Sequence, residues 1–262
     1  MIALSSAWAI TLRHMRIWKR DLNSVLMLLY WPMLDIIMWG FLGTWISQTS
    51  TVHNYETVAL LGVMLWQVVG RSSNVICITF NEELWTNNLV NVFSLPLRIV
   101  EWLCGALLYV TIVMIITAAT SMLIMSALYN VSIWHIFTTF MYFMPPLFIS
   151  SIWLGLVSLQ LIVTFGKRMT ELAFVISWFF MPFCGAFYPI EVLPAWGQKI
   201  STLLPMSYVF EGMRRYVMHQ EDPTSYLIKG YVLSIVYAIS ALLLFIYCFN
   251  RTKKYGLTRL MD

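Results

Sequence analysis

Apolar residues in this chain come in runs, and the runs are too long for the core of a soluble domain. Six stretches qualify as membrane spans, at 25–46, 58–79, 102–126, 136–164, 171–190 and 227–249. A helix needs about 20 mostly apolar residues to cross roughly 30 Å of hydrocarbon, so each stretch is predicted to be a transmembrane helix. Pro145-Pro146 in the fourth predicts a kink or a break, because proline removes a donor and collides with the preceding turn. Pro182 and Gly185 fall inside the fifth, after which the pattern dissolves into a polar–apolar mixture. The first run starts near Leu22 and is too long for the apolar region of a signal peptide. It is followed by Ser47-Gln48-Thr49 rather than a small-residue cleavage site, and it reads as a retained span.

Three segments between the runs keep a different pattern. In residues 5–20, Trp8, Leu12, Met15, Ile17 and Trp18 alternate with Arg13, His14, Arg16, Lys19 and Arg20. That suits either a helix lying in the inner membrane interface or an ordinary basic flank of the first span. Residues 81–96 carry Glu82 and Glu83 together with Leu84, Leu89, Val92 and Phe93 at helical spacing, and Pro96 ends the pattern. A short cytoplasmic amphipathic helix follows, fitted to the membrane surface or to a soluble partner. Residues 185–226 are too apolar for a free loop and too interrupted for a span. Pro189, Pro194 and Pro205 punctuate two short helical pieces, about 194–203 and 206–218. Irregular backbone at membrane depth is tolerated where protein or water covers it, which predicts a re-entrant or interfacial helix pair.

Composition agrees with the pattern. Hydrophobic residues make up 60% of the 262 and charged residues 11%, and mean hydropathy is +0.76. Soluble domains run near ~45–50% apolar and ~25% charged, so a soluble enzyme, a disordered chain and a free nucleic-acid binder are excluded. With the N-terminus inside, eleven Lys and Arg fall on cytoplasmic segments and four (Lys199, Arg214, Arg215, Lys229) on outer ones. This asymmetry predicts both termini in the cytoplasm. The remaining basic residue, Arg71, lies within the second span, and Asp35 lies within the first. At about 1.5 Å per residue both sit roughly 13–15 Å deep on antiparallel neighbours. Buried membrane charges find partners, so an Asp35–Arg71 ion pair is expected, acting as a helix clamp or in direct contact with substrate or protons. Glu171 reads as an interfacial acid at a helix start.

Catalytic and metal-binding patterns are missing. Cys77, Cys104, Cys184 and Cys248 lie far apart and form no Cys/His cluster. There is no phosphate-cradling G-x-x-x-x-G-K-[ST] loop, no G-x-S-x-G elbow and no H-E-x-x-H helix. No metal site and no catalytic residue are expected.

One stretch carries a resemblance. Phe183-Cys184-Gly185-Ala186-Phe187-Tyr188-Pro189-Ile190-Glu191-Val192-Leu193-Pro194-Ala195-Trp196 is similar to a G-x-F-[FY]-P-x-x-x-[LM]-P-x-W run. Leu204-Pro205-Met206-Ser207-Tyr208 through Glu211-Gly212-Met213-Arg214 is similar to a P-x-[ST]-[YH]-x-x-[ED]-x-x-R run. In this order and place they resemble the ABC-2 type transporter permeases, and the resemblance covers nearly the whole chain. It implies an all-α integral membrane protein: six transmembrane helices, an N-terminal interfacial helix, and a re-entrant outer helix pair between spans five and six. It also implies a homodimer or a pair with a related permease, embedded among membrane lipids in a bacterial-type inner membrane. A separate ABC ATPase would bind ATP and Mg2+, and this chain would bind no cofactor. Residues 81–96 would be the coupling helix docking that ATPase through Glu82, Glu83, Trp85, Asn88, Leu89 and Phe93. The family often has Gly-Thr-Leu there; this chain has Thr86-Asn87-Asn88-Leu89, with no glycine. The implied outer residues are Gly185, Phe187, Tyr188, Pro189, Pro194, Trp196, Pro205, Glu211 and Arg214. The implied function is ATP-driven export of an amphipathic or lipid-linked substrate (drug, lipid or polysaccharide). An ATPase-independent channel or carrier, and a non-transporting scaffold, are the alternatives.

Overall fold

The computed structural model describes residues 4–18, 22–49, 55–94, 97–129 and 132–255, and all regular structure among them is helical. An amphipathic helix α1 (Leu4–Trp18) precedes α2 (Leu22–Thr49) and α3 (Tyr55–Trp85). A short α4 (Leu89–Ser94) leads to α5 (Ile99–Tyr129) and α6 (Ile133–Phe165). Then come α7 (Thr170–Phe179), α8 (Ala195–Leu203), α9 (Pro205–His219) and α10 (Thr224–Tyr255).

The long apolar run of α3 makes it the axis of the bundle. It is buried over most of its length and touches α2, α5, α6, α7 and α9. Glycines let its neighbours approach. A Cβ at Gly155 of α6 would lie 2.7 Å from Ile76 Cδ1, and one at Gly43 of α2 would lie 3.1 Å from Glu56 Cα. On the other side of α6, α10 packs through Ser150 and Ser234, whose hydroxyls meet at 2.8 Å. The outward stripe of α10 is apolar: Ile228, Val232, Ile235, Ile239, Leu243 and Tyr247 are all exposed. Such a stripe needs an apolar solvent. Among the described residues, α3, α5, α6 and α10 are long and apolar enough to cross a membrane. The molecule is a helical membrane protein.

Three expectations change. The fourth run is neither broken nor interrupted at Pro145-Pro146, and α6 runs through both. The carbonyl of Pro146 itself also accepts from Ser150 Oγ at 2.9 Å and from Ser234 Oγ at 3.2 Å, which ties this turn of α6 to α10. The fifth run is not one span over 171–190. Helix α7 has ten residues, about 15 Å, and then 3-10 turns follow at Met181–Phe183 and Ile190–Val192. Pro182 and the left-handed Gly185 (φ 66°) stop the helix. The segment 81–96 is not one helix either. Its first part is the last turn of α3, Asn87 takes a left-handed conformation (φ 52°) that ends it, and only α4 is separate. Residues 95 and 96 lie outside the described residues. The two predicted outer pieces, by contrast, coincide with α8 and α9.

Candidate functional site

Two clusters form at opposite ends of α3. The first gathers the segment 183–193 with α8 and α9. Once Pro182 and Gly185 have turned the chain out of helix, its carbonyls have no helical donors, and buried carbonyls require partners. Side chains supply them. Ser201 Oγ donates to Phe183 O at 2.6 Å and Ser207 Oγ to the same atom at 3.2 Å. Tyr55 donates its hydroxyl to Phe187 O at 2.9 Å. Arg214 donates from Nη2 to Gly185 O and, at 2.8 Å, to Tyr188 O. Its Nη1 meets Glu211 Oε2 at 2.6 Å, and Arg215 Nε holds the other oxygen of that carboxylate at 3.1 Å. Only 5% of Arg214 is exposed. Burial pulls its pKa below the ordinary arginine value, and Glu211 beside it pushes back.

The same loop is pressed onto α2 and α3. The Phe187 ring stacks on Trp39 with centroids 4.0 Å apart and planes within 7°. A Cβ at Gly62 would lie 2.4 Å from Ala186 O, so the backbones touch only because Gly62 has no side chain. Tyr188 donates its hydroxyl to Pro182 O at 2.7 Å. Pro189 and Pro194 bracket the second 3-10 turn, Pro205 opens α9, and the exposed Trp196 ring lies 5.8 Å from Phe183. All nine outer residues expected from sequence therefore belong to one clamped hub. Ser207, the [ST] position of the second run, belongs to it as well; its other members, Ser201, Tyr55, Trp39 and Gly62, carry no sequence signal that ties them to it.

At the other end of α3 the acids face inward. Arg13 Nη2 of α1 meets Glu83 Oε2 at 2.8 Å, and Asn88 Nδ2 donates to the same oxygen at 2.9 Å. His14 Nδ1 meets Glu82 Oε2 at 2.8 Å. Glu83 is 2% exposed and His14 1%, and α1 is fixed to α5 by Thr11 Oγ1 donating to Gly105 O at 2.9 Å. Leu89 and Phe93 are buried too, Phe93 against Phe249 of α10. What faces out is Trp85, Thr86, Asn87, Asn91 and Ser94. Of the six residues expected to dock a partner, Trp85 presents an exposed side chain, Glu82 and Asn88 are half-buried, and Glu83, Leu89 and Phe93 serve the inside. Lys167 Nζ, before α7, donates to Asn87 Oδ1 at 3.4 Å.

Asp35 of α2 and Arg71 of α3 sit on neighbouring helices, but the direct ion pair expected between them is not among the ion pairs of the described residues. Arg71 also lines a small recess between α3 and α5 with Gln67, Ser72 and Thr117. Among the described residues no group of three metal-ligating side chains comes together. No family model matches the chain, and no curated protein is similar to it.

Proposed function

We propose that the chain is the transmembrane subunit of an ATP-driven exporter of the ABC-2 type. It crosses the membrane six times, with α2 added to the four long apolar helices and the fifth crossing made by α7 together with the folded segment that follows it, and both termini are cytoplasmic. A second permease chain completes the pathway, and a separate ATPase binds ATP and Mg2+. The cargo is amphipathic or lipid-linked, and it crosses as the pathway switches between inward- and outward-facing forms in a bacterial-type inner membrane.

The observation that carries this reading is the distance between the two clusters. Gly62 touches the hub and Glu83 touches α1. Twenty-one residues of continuous helix separate them, which is roughly 32 Å at 1.5 Å per residue and close to the thickness of bilayer hydrocarbon. The run that carries the resemblance thus sits a membrane's thickness from an exposed polar surface around Trp85, Asn87 and Asn91. That surface, rather than Glu82 and Glu83, is where the ATPase docks. In the mechanism this chain makes and breaks no covalent bond. Its loop around Asn87 receives the movement of the ATPase, α3 carries it, and the hub closes the outer end.

Affinity purification of the tagged chain from its own membranes tests the proposal. An ATPase of the ABC class should be retained. The double change Trp85→Ala/Asn91→Arg should reduce retention more than tenfold while leaving thermal stability unchanged. Retention of no such ATPase, or retention indifferent to this surface, would count against it.

A further inference from the structure

We infer that one stripe of α2, Trp31, Asp35, Met38, Leu42 and Trp45, is the surface on which a second copy of this chain packs. The five positions follow one another in steps of four and three residues. At about 100° per residue they fall within one arc of roughly 80°. Such a stripe is the seam along which two helices pack side by side at a shallow left-handed crossing. Within its own chain the seam is bare. Helix α2 turns its other side to the bundle, Gly40 against Tyr129 of α5 and Gly43 against Glu56 of α3. Trp31, Met38, Leu42 and Trp45 are exposed, and Asp35 is half-buried.

An apolar stripe alone would be ordinary lipid-facing surface, as on α10, whose outward stripe carries no charge. Asp35 makes the difference. It stands at the middle of the 28-residue α2, about 20 Å from either end. Among the described residues its carboxylate forms no ion pair and no hydrogen bond. Hydrocarbon offers a carboxylate nothing, and ionisable residues at this depth face protein or a water-filled cavity. Lipid is therefore not what covers the stripe. Water alone does not suit it either, since the four residues around Asp35 are large and apolar. A protein surface with one polar group at the same depth suits all five, and a second copy provides it. Two identical helices related by a two-fold axis along the membrane normal set the same residue at the same depth. Two carboxyl groups so placed share one proton, the protonated one donating to the ionised one. In seams of this spacing a single polar pair fixes register and copy number, while the apolar residues on both sides supply the contact.

The inference rests on the reading above that α2 crosses the membrane and that two permease chains join, and it names the joining surface and its occupant. The test uses the full chain in the membranes of expressing cells, with no ATPase. The photoreactive residue benzoylphenylalanine replaces Met38 or Leu42 on the seam, Met33, which is exposed on the opposite side of α2, or Leu243 on the outward stripe of α10. Two differently tagged copies are expressed together, and ultraviolet light fixes whatever covers each site. The seam positions should give a product of twice the chain's mass that carries both tags, in at least fivefold higher yield than Met33 or Leu243. With the probe at Leu42, Asp35→Asn should keep that yield, because an amide pair also bonds across the seam, and Asp35→Leu should lower it about threefold. No protein product from the seam, or an equal yield from Leu243, would overturn the interface. A product with a different chain would overturn the second copy as its occupant. An undiminished yield in Asp35→Leu would overturn the part given to the carboxyl group. Failure of the permease reading shows instead in the retention of the ATPase, which this measurement does not involve.

Discussion

Replacing Arg214 by alanine strands three acceptors at once: the carbonyls of Gly185 and Tyr188 and the carboxylate of Glu211. Breaking a buried charged pair costs about 3–5 kcal/mol, so Arg214→Ala should lower the melting temperature in detergent by more than any other single change in α9. Arg214→Lys should recover only part of it, since a point charge cannot serve both carbonyls through one fork. A melting temperature unchanged by Arg214→Ala would show that the hub is held by its aromatic contacts instead. Gly62 makes a second residue-scale test. Alanine there places a methyl 2.4 Å from Ala186 O, and overpacking of this kind costs about 1–3 kcal/mol. The same thermal assay reads it, and no loss would mean that the loop does not rest on α3. Asp35→Ala should be less stable than Asp35→Ala/Arg71→Ala, because a lone charge in hydrocarbon is worse than none; the opposite order would contradict the coupling of the two. Sequence placed Arg214 and Glu211 in the right segment, through the P-x-[ST]-[YH]-x-x-[ED]-x-x-R run. It gave no hint that Arg214 binds backbone, because a carbonyl acceptor leaves no trace in residue type.

Among the elements, α1 is the one whose role changes most. Its alternation of apolar and basic residues suits either a helix in the membrane interface or an ordinary basic flank, and residues 4–18 are helical. Its basic face, however, is also a set of partners for α3, through Arg13–Glu83 and His14–Glu82. An amphipathic pattern reports which side is polar, not whether water, lipid or another helix satisfies it. The same limit explains the short helix α4. Helical spacing across 81–96 is present in the residues, but Asn87 adopts φ 52° and splits the segment, and asparagine enters that conformation without glycine's signature. Of the kink or break expected at Pro145-Pro146, the break is absent. Pro145-Pro146 sits inside α6, which is held along its length between α3 and α10, whereas Pro182 lies just past the end of its helix and Gly185 follows. At this scale the prediction is a charge swap. Arg13→Glu and Glu83→Arg should each loosen α1, and their combination should restore about 1 kcal/mol of the loss, as expected for a partly exposed pair. Hydrogen exchange across α1 measures it, and purely additive losses would mean that the ion pair does not hold the helix.

For the whole molecule, hydropathy runs identified a helical membrane protein, and the outward apolar stripe of α10 agrees with it. They could not separate a span from a ten-residue helix followed by a folded loop, because the residues of 171–190 are equally apolar in either arrangement. The topology has a direct check. Cys77 and Cys184 are buried while Cys104 and Cys248 are partly exposed, so Cys104→Ser/Cys248→Ser provides a quiet background. In it, a cysteine at Gln48 should react with an impermeant reagent added outside intact cells, and one at Lys254 only after lysis. Labelling of both from one side would overturn the six-span order.

The claim beneath all of this is that the chain moves cargo only when a separate nucleotide hydrolase drives it. The most direct measurement is reconstitution into proteoliposomes carrying a fluorescent lipid, with the chain alone, with the co-purified ATPase, and with that ATPase plus hydrolysable or non-hydrolysable ATP. The account predicts lipid translocation in the complete mixture with hydrolysable ATP and background rates in every other. Equal translocation by the chain alone would contradict it.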